Sequence, residues 1–170
     1  MTIMIRQETK EDYSKVYEVN RLAFSQENES ILVEKIRKGD NFISELSLVA
    51  EVNNEIVGHI LFSKIKIIGN TTTDSLALAP MAVLPEYQKQ GIGGKLIKKG
   101  LEAAKELGFN SVIVLGHKEY YPIFGFQKAS KWNIKCPFEV PDEAFMAIEL
   151  FGNSLTGMEG TVEYPNEFLE

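Results

Sequence analysis

Three apolar runs follow one another in the middle of the chain, residues 46–52, 56–68 and 76–84, and they constrain the fold more than any other feature. Each is rich in Val, Ile, Leu, Phe or Ala and bounded by polar residues, the pattern of a β-strand. Asn53-Asn54-Glu55 between the first two predicts an antiparallel hairpin. The third run ends at Pro85 and leads to an amphipathic helix over residues 92–107. There Ile92, Leu96, Ile97, Gly100, Leu101 and Ala104 share one face, Lys95, Lys98, Glu102, Lys105 and Glu106 share the other, and Gly108 ends the helix. Ser111–Leu115 reads as a strand buried on both faces.

The remaining elements fit around this centre. Residues 2–7 read as a strand, and Thr9-x-x-Asp12 resembles a capping box opening a helix through Phe24. A second helix is expected from Glu29 to Lys38, closed by Gly39. After the strand at 111–115, a short helix over 119–124 is interrupted at Pro122, and Gly125-Phe126 re-enters the sheet. A last strand over 144–151 is expected at an exposed edge, open to pairing in a homodimer. The order predicts an α+β or mixed α/β sheet with helices on its faces. With 170 residues the chain is read as one domain.

Composition removes several function classes. A net charge of −6 argues against non-specific binding of nucleic acid, although a local basic patch still suits a polyanionic ligand. The single cysteine, Cys136, permits no intramolecular disulfide or cysteine-based zinc site, and His59 and His117 leave little for a metal centre. No run approaches the ~20 apolar residues of a membrane span. Residues 1–6 do not resemble a signal peptide, so a cytoplasmic location is expected.

The chemistry points to Gln88-Lys89-Gln90-Gly91-Ile92-Gly93-Gly94, between the third strand and the long helix. A glycine-rich turn at a helix start exposes backbone N–H groups without intrahelical acceptors, and the helix dipole adds positive potential. A phosphate is the natural ligand there, with Lys89 and Lys95 at the rim. The plainer reading is a tight turn and close helix–strand packing. Two familiar phosphate motifs do not fit. Leu96 stands where a P-loop needs a hydroxyl after Lys95, and Lys95-Leu96-Ile97 supplies no third glycine for a dinucleotide fingerprint.

Q-x-x-G-x-G does fit, as Gln88, Gly91 and Gly93, and this segment resembles motif A of the GCN5-related N-acetyltransferases (GNAT). Leu76–Pro85 resembles the family's central strand and its Pro-bearing exit, and Tyr120–Phe126 its Y-x-x-x-G-F signature. The resemblance covers residues 2 to 130, with variable strands and a tail over 131–170. Within the family, Leu115–Tyr121 followed by Phe124-Gly125-Phe126 resembles the bacterial group typified by YhbS. The resemblance implies a mostly antiparallel mixed sheet, splayed at a cofactor cleft. It implies acetyl-CoA as acetyl donor and a small-molecule or peptide amine as acceptor, with neither nucleic acid nor membrane as partner.

By the same resemblance, Met81, Ala82 and Val83 offer main-chain groups to the pantetheine arm and the thioester carbonyl, and residues 88–94 hold the pyrophosphate. Tyr121 is the candidate general acid for the departing thiolate, four residues before Gly125, with Tyr120 the alternative if the register shifts by one. Packing is the other reading of both rings. His117 is the candidate base, alongside Glu51 and Glu86, while His59 on a hairpin strand and Cys136 suggest structural roles. Trp132 reads as packing or pocket lining. No cysteine neighbours the motif, so direct transfer in a ternary complex is expected rather than an acetyl-enzyme. The competing reading is a non-catalytic acyl-CoA sensor or regulatory module.

Overall fold

The computed structural model describes residues 1–169. In chain order the elements are β1 (Ile3–Gln7), α1 (Tyr13–Phe24), α2 (Asn28–Lys38), β2 (Phe42–Val52), β3 (Glu55–Ile68), β4 (Thr72–Val83) and α3 (Ile92–Glu106). There follow β5 (Ser111–Leu115), β6 (Gln127–Lys128), β7 (Ile134–Lys135), β8 (Phe145–Glu149) and β9 (Gly160–Glu163). The pairings β4–β5 and β7–β9 are parallel; β1–β2, β2–β3, β3–β9, β5–β8 and β6–β8 are antiparallel. This is the mixed, mostly antiparallel sheet with flanking helices expected from the sequence. Two compact units share it, residues 1–63 with 79–103, and residues 64–78 with 104 onward; β3 and β4 contribute to both.

In the first unit β1, β2, β3 and β4 lie side by side. The β2–β3 hairpin closes through Asn53 (φ 52°) and Asn54 (φ 63°), a left-handed pair that asparagine tolerates well. Alternate residues of β3 face opposite ways. On one face Gly58 and Phe62 meet α3: a Cβ on Gly58 would lie 3.1 Å from Leu96, and a Cβ on Gly100 would lie 2.1 Å from the Phe62 ring. Glycine at 100 therefore sets how closely helix and strand approach. The other face receives α1, which buries Val16, Val19 and Asn20. Before α1, Asp12 accepts the Thr9 backbone N–H at 2.7 Å, the acidic half of the expected capping box, across a short 3-10 turn.

On that second face a polar network is buried. Asn20 Nδ2 donates to the Val16 carbonyl (3.0 Å) and to His59 Nδ1 (3.2 Å). With Nδ1 accepting, the proton of His59 lies on Nε2, which donates to Ser47 Oγ (3.1 Å); Ser47 in turn donates to Glu8 (2.7 Å). Arg37 closes the chain with two bonds to Glu8, at 3.1 and 2.7 Å, and stacks over the Tyr13 ring. His59 is wholly buried, and desolvation, then the Arg37 charge, pulls its pKa down to about 3. It stays neutral, so its 4.0 Å approach to Glu8 is no ion pair. Asn20 Oδ1 is the exception in this network, buried without a hydrogen-bond partner.

In the second unit β4 and β5 pair at Leu76–Val112 and Ala77–Ile113, while β3 pairs with β9 from Lys66–Glu163 to Ile68–Thr161. Ile65, Ile67, Ile113, Phe145, Ala147 and Val162 form its apolar core, with Trp132 and Cys136 packed against it, half-buried. One expectation is overturned here. The strand predicted over 144–151 is not an exposed edge: β8 lies between β5 and β6, with Phe145, Met146 and Ala147 buried. Its pairing capacity is already used inside the chain, which removes the stated ground for a homodimer at that strand. No helix among the described residues is long and apolar enough to cross a membrane.

Candidate active site

The residues singled out from the sequence fall into two groups, one in each unit. In the first, β4 ends at Val83, and the Leu84 N–H bonds the Val57 carbonyl at 2.8 Å, holding the strand's end against β3. Pro85 then starts a single 3-10 turn over Pro85–Tyr87, which suits its fixed φ. The Gln88 side chain reaches back to donate to the Val83 carbonyl at 2.9 Å. Gln90 donates likewise to the Glu86 carbonyl at 3.2 Å. These two amides tie the loop to the residues preceding it.

Lys89 (φ 63°) and Gly91 (φ 87°) both take left-handed backbone. Glycine adopts it freely, whereas lysine does so at a conformational cost that the surrounding loop must offset. The first helical bond of α3 runs from the Lys95 N–H to the Gly91 carbonyl, at 3.1 Å. The N–H groups of Ile92, Gly93 and Gly94, ahead of that first donor, thus have no intrahelical acceptor. Ile92 anchors the turn by burying its side chain, while Lys89, Gln90, Gly91 and Lys95 are exposed. A Cβ on Gly91 would meet nothing within 4 Å. Packing does not require glycine at 91; the backbone angle does, and open space stands beside it. Nearby, Met81 is half-buried and Ala82 and Val83 are buried on β4.

The second group follows β5. The Gly116 N–H bonds the Ala144 carbonyl at 2.9 Å, and the His117 carbonyl accepts from the N–H groups of Tyr120 (3.1 Å) and Tyr121 (3.3 Å). His117 therefore serves the turn through its main chain, leaving its imidazole exposed. The 3-10 turn Tyr121–Phe124 ends at Gly125, φ 104°. The two tyrosines are unlike. Tyr121 is only 8% exposed, set edge-on to Tyr120 and Phe126, and lies over Gly116, whose Cβ would come 2.5 Å from the ring. Burial, with Tyr120 beside it, pushes the Tyr121 phenol up to about 12. Tyr120 is half-buried and raised by burial alone.

The other candidate bases fare differently. Glu51 is engaged by Arg6 through Nε (3.0 Å) and Nη2 (2.6 Å), and the same guanidinium holds Asp12. Glu86 is exposed. His59 is sealed in the network described above. Among the described residues no three His, Cys, Asp or Glu side chains are placed to hold a metal ion. Two contributors escaped sequence reading. The Gln88 clamp depends on where its side chain turns, which sequence does not signal. Gly116, directly after a strand and before the tyrosines, was a visible hint of a ring stacked on the backbone.

Residues 5–126 match the model of the acetyltransferase (GNAT) family, and the chain belongs to that family. The uncharacterised N-acetyltransferase YjhQ of Escherichia coli K12 is 38% identical over 136 residues, 79% of this chain and 75% of YjhQ. YhbS of the same strain, also an uncharacterised N-acetyltransferase, is 30% identical over 167 residues, 98% of either chain. The crystal structure of E. coli YhbS in complex with CoA superposes with a TM-score of 0.92 over 99% of this chain and 92% of that one, at 28% identity. A Brucella melitensis GNAT acetyltransferase in complex with acetyl-CoA gives a TM-score of 0.80 at 31% identity, covering 98% of both.

Proposed function

We propose that this acetyltransferase takes acetyl-CoA as donor and passes the acetyl group directly to a primary amine. The observation that carries the reading is the start of α3. Three backbone N–H groups, at 92–94, come before the first helical donor, Lys95, and have no intrahelical acceptor, behind a left-handed Lys89 and Gly91 with open space beside the backbone. That geometry suits a pyrophosphate, with Lys89 and Lys95 adding positive charge. Gln88, through its bond to Val83, holds the loop in shape, and Gln90 does the same through Glu86. The main chain at Met81, Ala82 and Val83 holds the pantetheine arm and polarises the acetyl carbonyl.

In the transfer, the amine nitrogen bonds to the acetyl carbon, the C–S bond breaks, and the amine proton leaves. Tyr121 hydrogen-bonds the sulfur as it gains charge. Its raised pKa keeps the phenol protonated at neutral pH, ready to donate. Complete proton transfer is uphill even for an ordinary phenol near 10 against a thiol near 8.5, and the burial of Tyr121 steepens it. Tyr121 therefore stabilises the developing thiolate by donation, and the net proton on the sulfur comes from the amine through solvent or a base. His117, exposed beside the turn, is the proposed base.

The test is Tyr121→Phe, which keeps the ring over Gly116 and removes the donor. Turnover in a thiol-release assay should fall about 10²–10³-fold, as for loss of one donor to a developing negative charge, in kcat and kcat/KM alike, with acetyl-CoA affinity nearly unchanged. Tyr120→Phe should be close to silent. Equal and small effects of both changes would withdraw the assignment of Tyr121. An acetyl-CoA-binding chain with no transfer to any amine would favour the sensor reading.

A further inference from the structure

The second unit holds a cavity of about 260 Å³ that none of the roles above uses. Its floor is apolar, from Ile134 and Phe145 of the unit's core, and Cys136 and Phe138 form part of its wall. Phe138 is 47% exposed and stacks on Tyr164. Glu139 and Asp142 stand at the rim against a single lining lysine, Lys135. Glu139 forms no salt bridge among the described residues, and Asp142 meets Lys128 only at 3.9 Å, both side chains more than half exposed. Such an exposed pair is worth at most about 1 kcal/mol and exchanges readily for another cation.

The cavity also adjoins the segment that carries Tyr121. Ala144, two residues after Asp142, bonds the Gly116 N–H, and Phe145 pairs with Leu115 at the end of β5. Glu143 lies 4.0 Å from Lys118. The walls of the cavity and the tyrosine turn are therefore fastened to each other within one unit.

We propose that this cavity receives the acceptor, a small primary amine presented as an ammonium on an apolar stem. Its volume lies just below the ~300–1,000 Å³ of pockets for drug-sized ligands, which suits a short aliphatic or aryl-alkyl amine. Phe138 and the floor take the stem, and Glu139 and Asp142 draw in the charged head, displacing Lys128 from Asp142, before its nitrogen loses a proton to the base and attacks. The inference rests on the acetyl-transfer reading, since it is that activity which calls for an amine.

Cys136 offers an independent readout. It is the one cysteine of the chain and lines the cavity, and burial holds its thiol above the ordinary value, so alkylation is slow and sensitive to access. Alkylation by N-ethylmaleimide is followed with butylamine, phenethylamine and, as uncharged control, butanol. The amines that the enzyme acetylates should protect Cys136, half-maximally at the concentration that half-saturates transfer, and butanol should not. Glu139→Gln with Asp142→Asn, an exposed pair of changes that should leave the melting temperature in place, should raise the amine KM about tenfold and leave kcat and the acetyl-CoA KM unchanged. Acetylated amines that neither protect Cys136 nor respond to the double variant would overturn the cavity assignment while leaving acetyl transfer intact. Protection by amines without any transfer would support the cavity and count against the acetyl-transfer reading.

Discussion

The first unit treats polar groups in two opposite ways, and the contrast locates function. In the Asn20–His59–Ser47–Glu8–Arg37 network nearly every buried polar atom has a partner, and its members join β2, β3 and the residue after β1 to α1 and α2. At the start of α3 the N–H groups of residues 92–94 are left without a helical acceptor, beside the open space at Gly91. Saturated polar groups under cover stabilise and specify a packing, because an unpaired one there is expensive. Unsaturated donors at a surface are available to a ligand. The histidine in the first region is thus a poor catalytic candidate for the same reason that it is a good structural one.

Substitutions should separate the two regions sharply. The largest expected effect is on folding. Arg37→Met leaves the Glu8 carboxylate buried beside Ser47 without its cation, which should cost about 3–5 kcal/mol in urea unfolding. Adding Glu8→Leu should restore much of that loss, because most of it is the stranded charge rather than the pair itself. If Arg37→Met unfolds like the parent, the network is not a stabilising unit and the contrast fails.

An effect spread over several pH units sharpens the same point. The folded-state pKa of His59, about 3, lies below its ordinary value near 6.5, so between those values the unfolded chain binds the proton and the folded chain does not. Stability is full above about pH 6.5 and should fall on acidification, by up to ~1.4 kcal/mol per pH unit. Asp12, drawn down to about 2 chiefly by its hydrogen bonds to Arg6, adds a second loss once the pH drops below about 4. His59→Gln should flatten the slope between pH 6.5 and 4 and leave the steeper fall below it. An unchanged slope would show that His59 already titrates normally in the folded chain.

How much was legible in the sequence follows from how local each feature is. The hairpin, the long helix and the loop between β4 and α3 are contiguous stretches whose Asn53-Asn54 pair, apolar face and glycines act on their own neighbours, and they appear within a few residues of the expected bounds. β2 and β4 begin earlier than read, at Phe42 and Thr72, because polar residues such as Ser44, Glu45, Thr72 and Asp74 carry no apolar period. β7, of two residues, and β9 were not anticipated. Ile134–Lys135 is too short to show alternation and exists only because it meets Gly160 and Thr161 far along the chain. The edge expected at 144–151 failed for the same reason, since its neighbours β5 and β6 are assigned by tertiary pairing. In the candidate site, Gly91 was readable as a residue type and Gly116 offered a hint of a ring against the backbone, but the left-handed Lys89 and the Gln88 clamp depend on side-chain and backbone directions that composition does not encode.

The central claim is that the turn opening α3 holds the pyrophosphate of acetyl-CoA without serving the fold, and one calorimetric comparison tests it most directly. Acetyl-CoA is titrated into the parent chain and into Gly93→Val, with thermal unfolding of both recorded in the absence and presence of ligand. In the parent, ligand at ~100 times its dissociation constant should add about 2.7 kcal/mol to unfolding stability. Gly93→Val should melt close to the parent when free and lose most of the binding heat and the ligand-induced shift. A variant that binds acetyl-CoA like the parent, or one whose free-state stability falls as far as its affinity, would contradict the account and return the glycines to the role of a tight turn.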